Sequence, residues 1–339
     1  MKIGLIGAGR IGKLHGELLT YHIPEAVIKT VAEIDIDNIK PWAKQLNIFN
    51  LTTDTSDILN DPEIEAVLIC SSTDTHAQLI IEAARAGKHI FCEKPIDFNI
   101  KKIKQALKSV QDAGVKLQIG FNRRFDHNFM KVREYVKSGK LGAVHIVKIT
   151  SRDPAPPPLA YLKVSGGIFL DMTIHDFDMA RYLSISEVEE VYAQGAVLVD
   201  PAIGGIGDVD TAITTLKFKN GAMGVIDNSR QAVYGYDQRV EVFGSKGYVE
   251  VENDFPNSAK LSTAEGVTRD KPQYFFLERY KMSYIEELKT FVDAVAKDKE
   301  PPVTGSDGLQ PVLIGTAALK SLKERRPVKI QEVDKDELA

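Results

Sequence analysis

Cysteine is nearly absent from this chain of 339 residues. The two that occur, Cys70 and Cys92, each end an apolar run. That pattern points to buried thiols in a reducing compartment and excludes a disulfide-stapled scaffold. No stretch approaches the roughly 18 consecutive apolar residues that a membrane-spanning helix needs. The start, Met1-Lys2-Ile3-Gly4-Leu5, runs straight into a strand without the layout of a signal peptide. A cytoplasmic protein with no membrane partner is the expectation. The tail holds the letters Lys335-Asp336-Glu337-Leu338, but Ala339 follows, so they form no terminal retention signal. Basic charge is not in excess: the net charge is −4 and the pI is about 6.0. Without a basic field, nucleic acid is excluded as the expected partner. No Cys/His cluster has metal-ligand spacing, so no metal is expected. There is no internal repeat and no low-complexity segment. What remains is an ordinary globular composition, 43% apolar, at a length that suggests two domains.

The first half alternates strand and helix. Lys2-Ile3-Gly4-Leu5-Ile6 is a short apolar strand, followed at once by Gly7-Ala8-Gly9-Arg10-Ile11-Gly12 and a helix to about Thr20. This is G-x-G-x-x-G in its required setting. Gly7 permits the tight turn, Gly9 lets a pyrophosphate approach the backbone, and Gly12 lets helix and strand pack closely. The free N–H groups of the helix start face the phosphates. The second strand, Val27 to Ala32, ends at Glu33, 21 positions after Gly12. An acid there accepts hydrogen bonds from ribose hydroxyls and repels a 2′-phosphate, which favours NAD over NADP. Asp35 competes for that role, and either could be a solvated loop acid. Ala66 to Cys70 is a fully apolar strand of the kind buried in a parallel sheet. Ser72, Thr73 and His76 follow it and are candidates to line the cofactor cleft, although each alone reads as a cap or loop residue. Gly87 to Cys92 is the next strand, and Glu93-Lys94-Pro95 closes it. Pro95 fixes its own φ and pushes Lys94 into an extended backbone. A stiffened lysine at the carboxyl edge of such a sheet stands where α/β proteins keep their ligand; alone, it reads as a surface lysine. Val115 to Gly120 is a further strand, with Asn122-Arg123-Arg124 just past it. The arginines are either surface charge or ligand contacts. The alternation over 1–121 predicts an α/β, doubly wound, parallel Rossmann sheet.

From 122 to 330 the texture predicts a second, α+β domain with a large open, mostly antiparallel sheet. Alternating segments at 144–151, 190–197, 211–218 and 238–243 supply its strands, and Asn220-Gly221 makes a hairpin turn. The exposed face of such a sheet is a plausible subunit contact. Asp171 and His175 are four apart, so the spacing sets both on one helical face. The histidine can take a proton near neutral pH, and the carboxylate can orient it. In isolation, an N-cap and a satisfied core histidine explain the pair equally. The Arg152-Asp153-Pro154-Ala155-Pro156-Pro157-Pro158 loop is stiff and suited to walling a pocket, or is a plain connector. Residues 331–339 read as a mobile charged tail.

The glycine motif with His15, Glu93-Lys94-Pro95, and Asp171 four before His175 occur in order. Over about residues 1–330 the chain resembles the glucose–fructose oxidoreductase / inositol dehydrogenase / rhizopine-catabolism family (Gfo/Idh/MocA). Ser151-Arg152-Asp153-Pro154 and Phe169 to Asp176 are similar to its inositol-oxidising branch. The resemblance implies an NAD-dependent dehydrogenase that converts a secondary hydroxyl of myo-inositol to a ketone, or else acts on scyllo-inositol or another sugar or polyol. A silent nucleotide-binding sugar sensor is the non-enzyme alternative. Lys94, Asp171 and His175 would be the catalytic triad. Gly7, Gly9, Arg10, Ile11, Gly12, Glu33, Asp35, Ser72, Thr73, His76, Glu93, Lys94 and Asn122 would lie along the cofactor. Arg123, Asp153 and Tyr236 would join the triad at the substrate, with Tyr234 and Asp237 on the same loop. The Lys94–Pro95 bond is implied to be cis, and the assembly a homotetramer built through the second domain's sheet. The family's ribose acid is usually Asp, where this chain has Glu33.

Overall fold

The structure is a computed structural model that describes residues 1–336. The chain divides into two compact units, Met1–Asn122 with Ser283–Val312, and Arg123–Met282 with the segment from Leu313 onward.

In the first unit, β1 (Lys2–Ile6), α1 (Arg10–His22), β2 (Val27–Ala32), α2 (Ile36–Gln45), β3 (Asn50–Thr52), α3 (Ser56–Leu59), β4 (Ala66–Ile69), α4 (Thr73–Arg85), β5 (His89–Glu93), α5 (Ile100–Ala113) and β6 (Leu117–Gly120) follow in order. The six strands pair in parallel in the order β3-β2-β1-β4-β5-β6. The order reverses between β1 and β4, which opens a ligand crevice at their carboxyl ends. Every residue of β4 is buried, as expected of a strand covered on both faces. Cys70 and Cys92 are free and buried here.

In the second unit come a 3-10 turn (Asn122–Phe125), whose first residue belongs to the first unit, α6 (His127–Lys137), β7 (Val144–Arg152), α7 (Leu159–Leu162), α8 (Gly167–Asp171), α9 (Ile174–Ser184), β8 (Val188–Ala196), α10 (Pro201–Gly205), β9 (Thr211–Phe218), β10 (Met223–Ser229), β11 (Asp237–Gly244), β12 (Gly247–Val251), β13 (Lys260–Thr263), β14 (Gly266–Arg269) and α11 (Phe276–Arg279). Then follow α12 (Lys281–Ala296), α13 (Gly305–Glu324), β15 (Val328–Lys329) and α14 (Ile330–Asp336). Seven strands form one sheet in the order β12-β11-β7-β10-β9-β8-β15. Its pairings are antiparallel except β7 with β10. Alternation on β9 turns Ala212, Thr214, Leu216 and Phe218 inward and Ile213, Thr215 and Lys217 outward. Among the described residues no helix is long and apolar enough to cross a membrane.

Two expectations change. Residues 283–312, read as part of the second domain, pack in the first unit: Phe291 meets Phe91 edge-on at 5.9 Å, and the Ile119 N–H donates to the Val303 carbonyl at 3.0 Å. Up to Asp336 the charged segment is not a loose tail: it forms α14, and Val333 on it is buried at 4% exposure. One apolar side chain among charges is too weak a periodic signal to read as a helix. The last letters of the tail, 337–339, lie outside the described residues.

Asp126 illustrates how the second unit is pinned. It caps α6 by accepting from the Asn128 and Phe129 N–H groups, and it pairs with the buried Arg279 at 2.5 Å. Both side chains are nearly fully buried. Asp126→Ala removes a cap and strips a buried guanidinium of its main partner, and is expected to cost about 3 kcal/mol in urea unfolding. A loss below about 0.5 kcal/mol would show that the pair does not hold α6.

Candidate active site

In the first unit the chemistry-bearing residues gather at the carboxyl ends of the parallel strands. Gly7 turns the chain out of β1 at φ +88°, and a Cβ there would lie 2.5 Å from the Ser71 backbone nitrogen. A Cβ on Gly12 would lie 2.0 Å from the Gly7 carbonyl oxygen. α1 can therefore start tight against the sheet only with these two glycines. Gly9 caps α1, and no described atom lies within 4 Å of where its Cβ would be. That open space in front of the helix start, with Arg10 and Ile11 opening the first turn, fits a dinucleotide diphosphate. Glu33 reaches back from the end of β2, its Oε2 accepting the Ala8 N–H at 2.7 Å. Asp35 instead caps α2 by accepting from the Asn38 N–H. Of the two acids, Glu33 is the one tied to the glycine loop.

Ser72 precedes α4 and Thr73 opens it, both at the end of β4. His76 is buried, and its ring nitrogens lie 2.8 Å from the Pro95 carbonyl and 2.9 Å from the Ser71 carbonyl. It ties the loop after β4 to the residue after Lys94. Lys94 is half-buried at the end of β5, and its bond to Pro95 is cis. Glu93 points inward, with Oε1 at 2.6 Å from His15 Nε2 and Oε2 accepting the Lys94 backbone N–H at 3.2 Å. Asn122, just past β6, is buried.

In the second unit, Asp171 ends α8 and His175 lies in the first turn of α9, both half-buried. They do not share one regular helix as the spacing of four implied. The Thr173 N–H reaches back five residues to the Ile168 carbonyl at 2.8 Å, and α9 restarts at Ile174. The buried Thr173 hydroxyl donates to Asn228 Oδ1 at 2.8 Å, a tertiary contact in place of an intrahelical one. Gly166 and Gly167 enter α8 at φ +87° and +77°. A Cβ on Gly167 would come within 2.9 Å of Asp208 Oδ1, which accepts the Ile168 N–H at 3.1 Å.

Asp171 is gripped through both oxygens. The Tyr161 hydroxyl donates to Oδ1 at 2.8 Å, and Arg230 donates to Oδ2 at 3.4 Å. Arg230 is 1% exposed and also lies 3.7 Å from Asp208. Arg123 is buried too, donating to Asp176 at 2.6 Å and to the Tyr236 hydroxyl at 3.3 Å, with the Tyr280 ring 5.6 Å away. The second Asp176 oxygen accepts from Asn228 at 2.8 Å. Burial raises the Asp176 carboxyl, and Arg123 and Asn228 pull it back. Asp153, just past β7, is pushed up to about 7 by burial, with Arg230 and Arg123 opposing and Asp171 and Asp176 adding to the rise. Tyr236 is buried beside Arg123. The Tyr234 hydroxyl donates to Asp237 at 2.5 Å, and Asp237 also accepts from Arg239 and Asn253 within its own unit.

Sequence reasoning missed Arg230, Asp208 and Tyr161, because no spacing links them to Asp171. Asp176 adjoins His175 and could have been noticed as a second acid in the same turn. Among the described residues, Asp126, His127 and Asp254 place ligand-type atoms within 4.8 Å of one another. Arg279 already occupies both of those acids.

Comparison with known proteins adds a family to this geometry. Residues 1–121 match the model of an oxidoreductase family with an NAD-binding Rossmann fold, and residues 129–250 match the GFO/IDH/MocA C-terminal domain. The chain is 52% identical to the myo-inositol 2-dehydrogenase of Thermotoga maritima, covering 98% of this chain and 99% of that one. It is 46% identical to the inositol 2-dehydrogenase of Rhizobium meliloti, covering 97% and 99%. The solved scyllo-inositol dehydrogenase of Lactobacillus casei, with bound NAD(H) and scyllo-inositol, superposes with a TM-score of 0.92 at 28% identity, covering 98% and 99%.

Asp153 generates a test. Its folded pKa lies above the unfolded value, so the native state holds the proton longer. Its stability contribution is full below the unfolded pKa near 4 and is lost as pH rises through about 7. Asp153→Asn removes that loss. The melting temperature of the variant relative to the parent should therefore rise between pH 5 and pH 8. A difference that stays flat, or falls, would rule out the raised carboxyl.

Proposed function

The chain belongs to the Gfo/Idh/MocA oxidoreductase family, and from that premise we propose that it oxidises a secondary ring hydroxyl of inositol to the ketone, myo-inositol to 2-keto-inositol, with NAD as the hydride acceptor. The observation that carries the reading is near-full-length similarity to two inositol 2-dehydrogenases in a chain that carries Lys94, Asp171 and His175. Bound NAD supplies the nicotinamide ring that takes up hydride from the carbinol carbon. The glycine loop with Arg10 and Ile11 holds the diphosphate, and Glu33 receives the ribose hydroxyls and disfavours a 2′-phosphate. Ser72, Thr73 and Asn122 line the same crevice, whereas His76 and Glu93 act from behind it. His175 takes the hydroxyl proton as general base. Lys94 donates to the same oxygen and steadies the charge that develops there. Asp171, held by Tyr161 and Arg230, keeps negative charge near the base. Arg123, Asp153 and Tyr236 contribute to recognition of the polyol. The hydroxyl proton thus goes to His175 and two electrons leave with the hydride, so the alcohol is oxidised and NAD reduced.

A second reading, oxidation of scyllo-inositol or another polyol, draws support from the scyllo-inositol-bound relative. We place the protein in the cytoplasm, in inositol catabolism. We also assign it a homotetramer through the outward face of the seven-stranded sheet, where Ile213, Met223, Phe243 and Tyr248 are exposed apolar side chains that call for cover. Light scattering is expected to give the mass of four 37.5-kDa chains, and a monomer would exclude that use of the face.

The direct test is NADH formation with myo-inositol, scyllo-inositol and glucose, each offered NAD or NADP. Turnover is expected with myo-inositol and NAD, falling about 100- to 10,000-fold in His175→Ala. Turnover with scyllo-inositol or glucose alone would replace the substrate. NADH binding without turnover on any polyol would make the chain a nucleotide-binding sensor.

A further inference from the structure

A carboxyl group and an imidazole ring, Glu93 and His15, are buried together behind Lys94. His15 sits wholly buried on α1, one turn beyond Gly12. Its Nε2 lies 2.6 Å from Glu93 Oε1, and its ring packs edge-on against Phe91 at 5.2 Å and Tyr284 at 5.6 Å. The other Glu93 oxygen accepts the Lys94 backbone N–H at 3.2 Å. The carboxyl group lies over Gly120 on β6, where a Cβ would come within 3.0 Å of it. Behind it, Glu287 on α12 is fully buried, and among the described residues neither of its carboxyl oxygens has a hydrogen-bond partner. Burial, and then the charge of Glu93, pushes the Glu287 carboxyl well above its ordinary range.

A well-packed apolar residue would stabilise such a position as well as a paired carboxylate does. A carboxylate whose two oxygens are divided between two elements does something an apolar side chain cannot. One oxygen holds the helix that begins at the glycine loop, and the other holds the backbone of Lys94. We infer that Glu93 is a positioning residue for Lys94, fixing the end of β5 to α1 through His15. The inference rests on the reading of Lys94 as the donor to the substrate oxygen. It also implies that the helix at the cofactor diphosphate and the lysine share one rigid connection.

A double-mutant cycle on the full chain tests this. The kcat for the best polyol, and NADH affinity by fluorescence titration, are measured in the parent, Glu93→Gln, Lys94→Ala and the double variant. Glu93→Gln is expected to lower kcat about 10- to 100-fold, the scale of a misplaced catalytic group. KM and NADH affinity should stay within about threefold, because the loop glycines are untouched. In the Lys94→Ala background the same change should alter kcat less than about twofold, since a residue acting through Lys94 has nothing left to position. Losses that multiply, or an unchanged kcat in Glu93→Gln, overturn the inference. Parental turnover in Lys94→Ala overturns the assignment of Lys94 itself, and so is told apart. If Glu93→Gln does not fold, His15→Ala enters the same cycle beside His15→Gln, whose amide N–H can still donate to Glu93. His15→Gln should recover kcat to within about threefold of the parent, and failure to recover overturns the inference.

Discussion

A carboxylate taken out of water costs several kcal/mol unless donors meet its oxygens, and the first unit is arranged around meeting that cost at Glu93. His15 comes from α1 to one oxygen, and the backbone of Lys94 comes to the other. β6 offers a glycine at the point of closest approach, so that the group fits between strands. His76 braces the next turn by holding the Pro95 carbonyl. The half-buried lysine is thus presented by a strand end held from α1 and from α4. The glycine loop that starts α1 belongs to the same framework.

The second unit meets the same cost with arginines. Arg123 neutralises Asp176, and Arg230 stands between Asp171 and Asp208. Around Arg123 and Arg230, Asp153 joins Asp171 and Asp176 within electrostatic reach, so acids outnumber guanidiniums there. Burial raises the Asp153 carboxyl to about 7 and the neighbouring acids add to the rise, while the acid beside the proposed base keeps two donors. The Gly166-Gly167 turn serves this arrangement. It lets Asp208 approach the start of α8, and α8 ends at Asp171.

Much of this is legible in the sequence. The parallel sheet was visible because strands buried on both faces read as apolar runs. The glycine loop was visible because Gly7 and Gly12 answer local steric demands, while Gly9 leaves open space in front of the helix start. Lys94 could be singled out because the strand before it and the proline after it are adjacent in sequence. Less legible was the stretch from Asp171 to His175. A regular helix was the reasonable reading of that spacing, and it fails because Thr173 is drawn to Asn228, a partner 55 residues away. That residues 283–312 join the first unit was not readable, because their partners there are distant in sequence.

The sequence by itself determined the doubly wound parallel sheet and the open sheet that follows, and it nominated the side chains proposed here as reactive. Those features depend on residues within a few positions of one another, where sterics and periodicity act. Only the tertiary structure decided which acids are paired and which are raised, that Glu93 faces inward to His15, and that Arg230 backs Asp171. Burial and charge pairing depend on distance in space, and a linear chain does not encode that distance in its spacing.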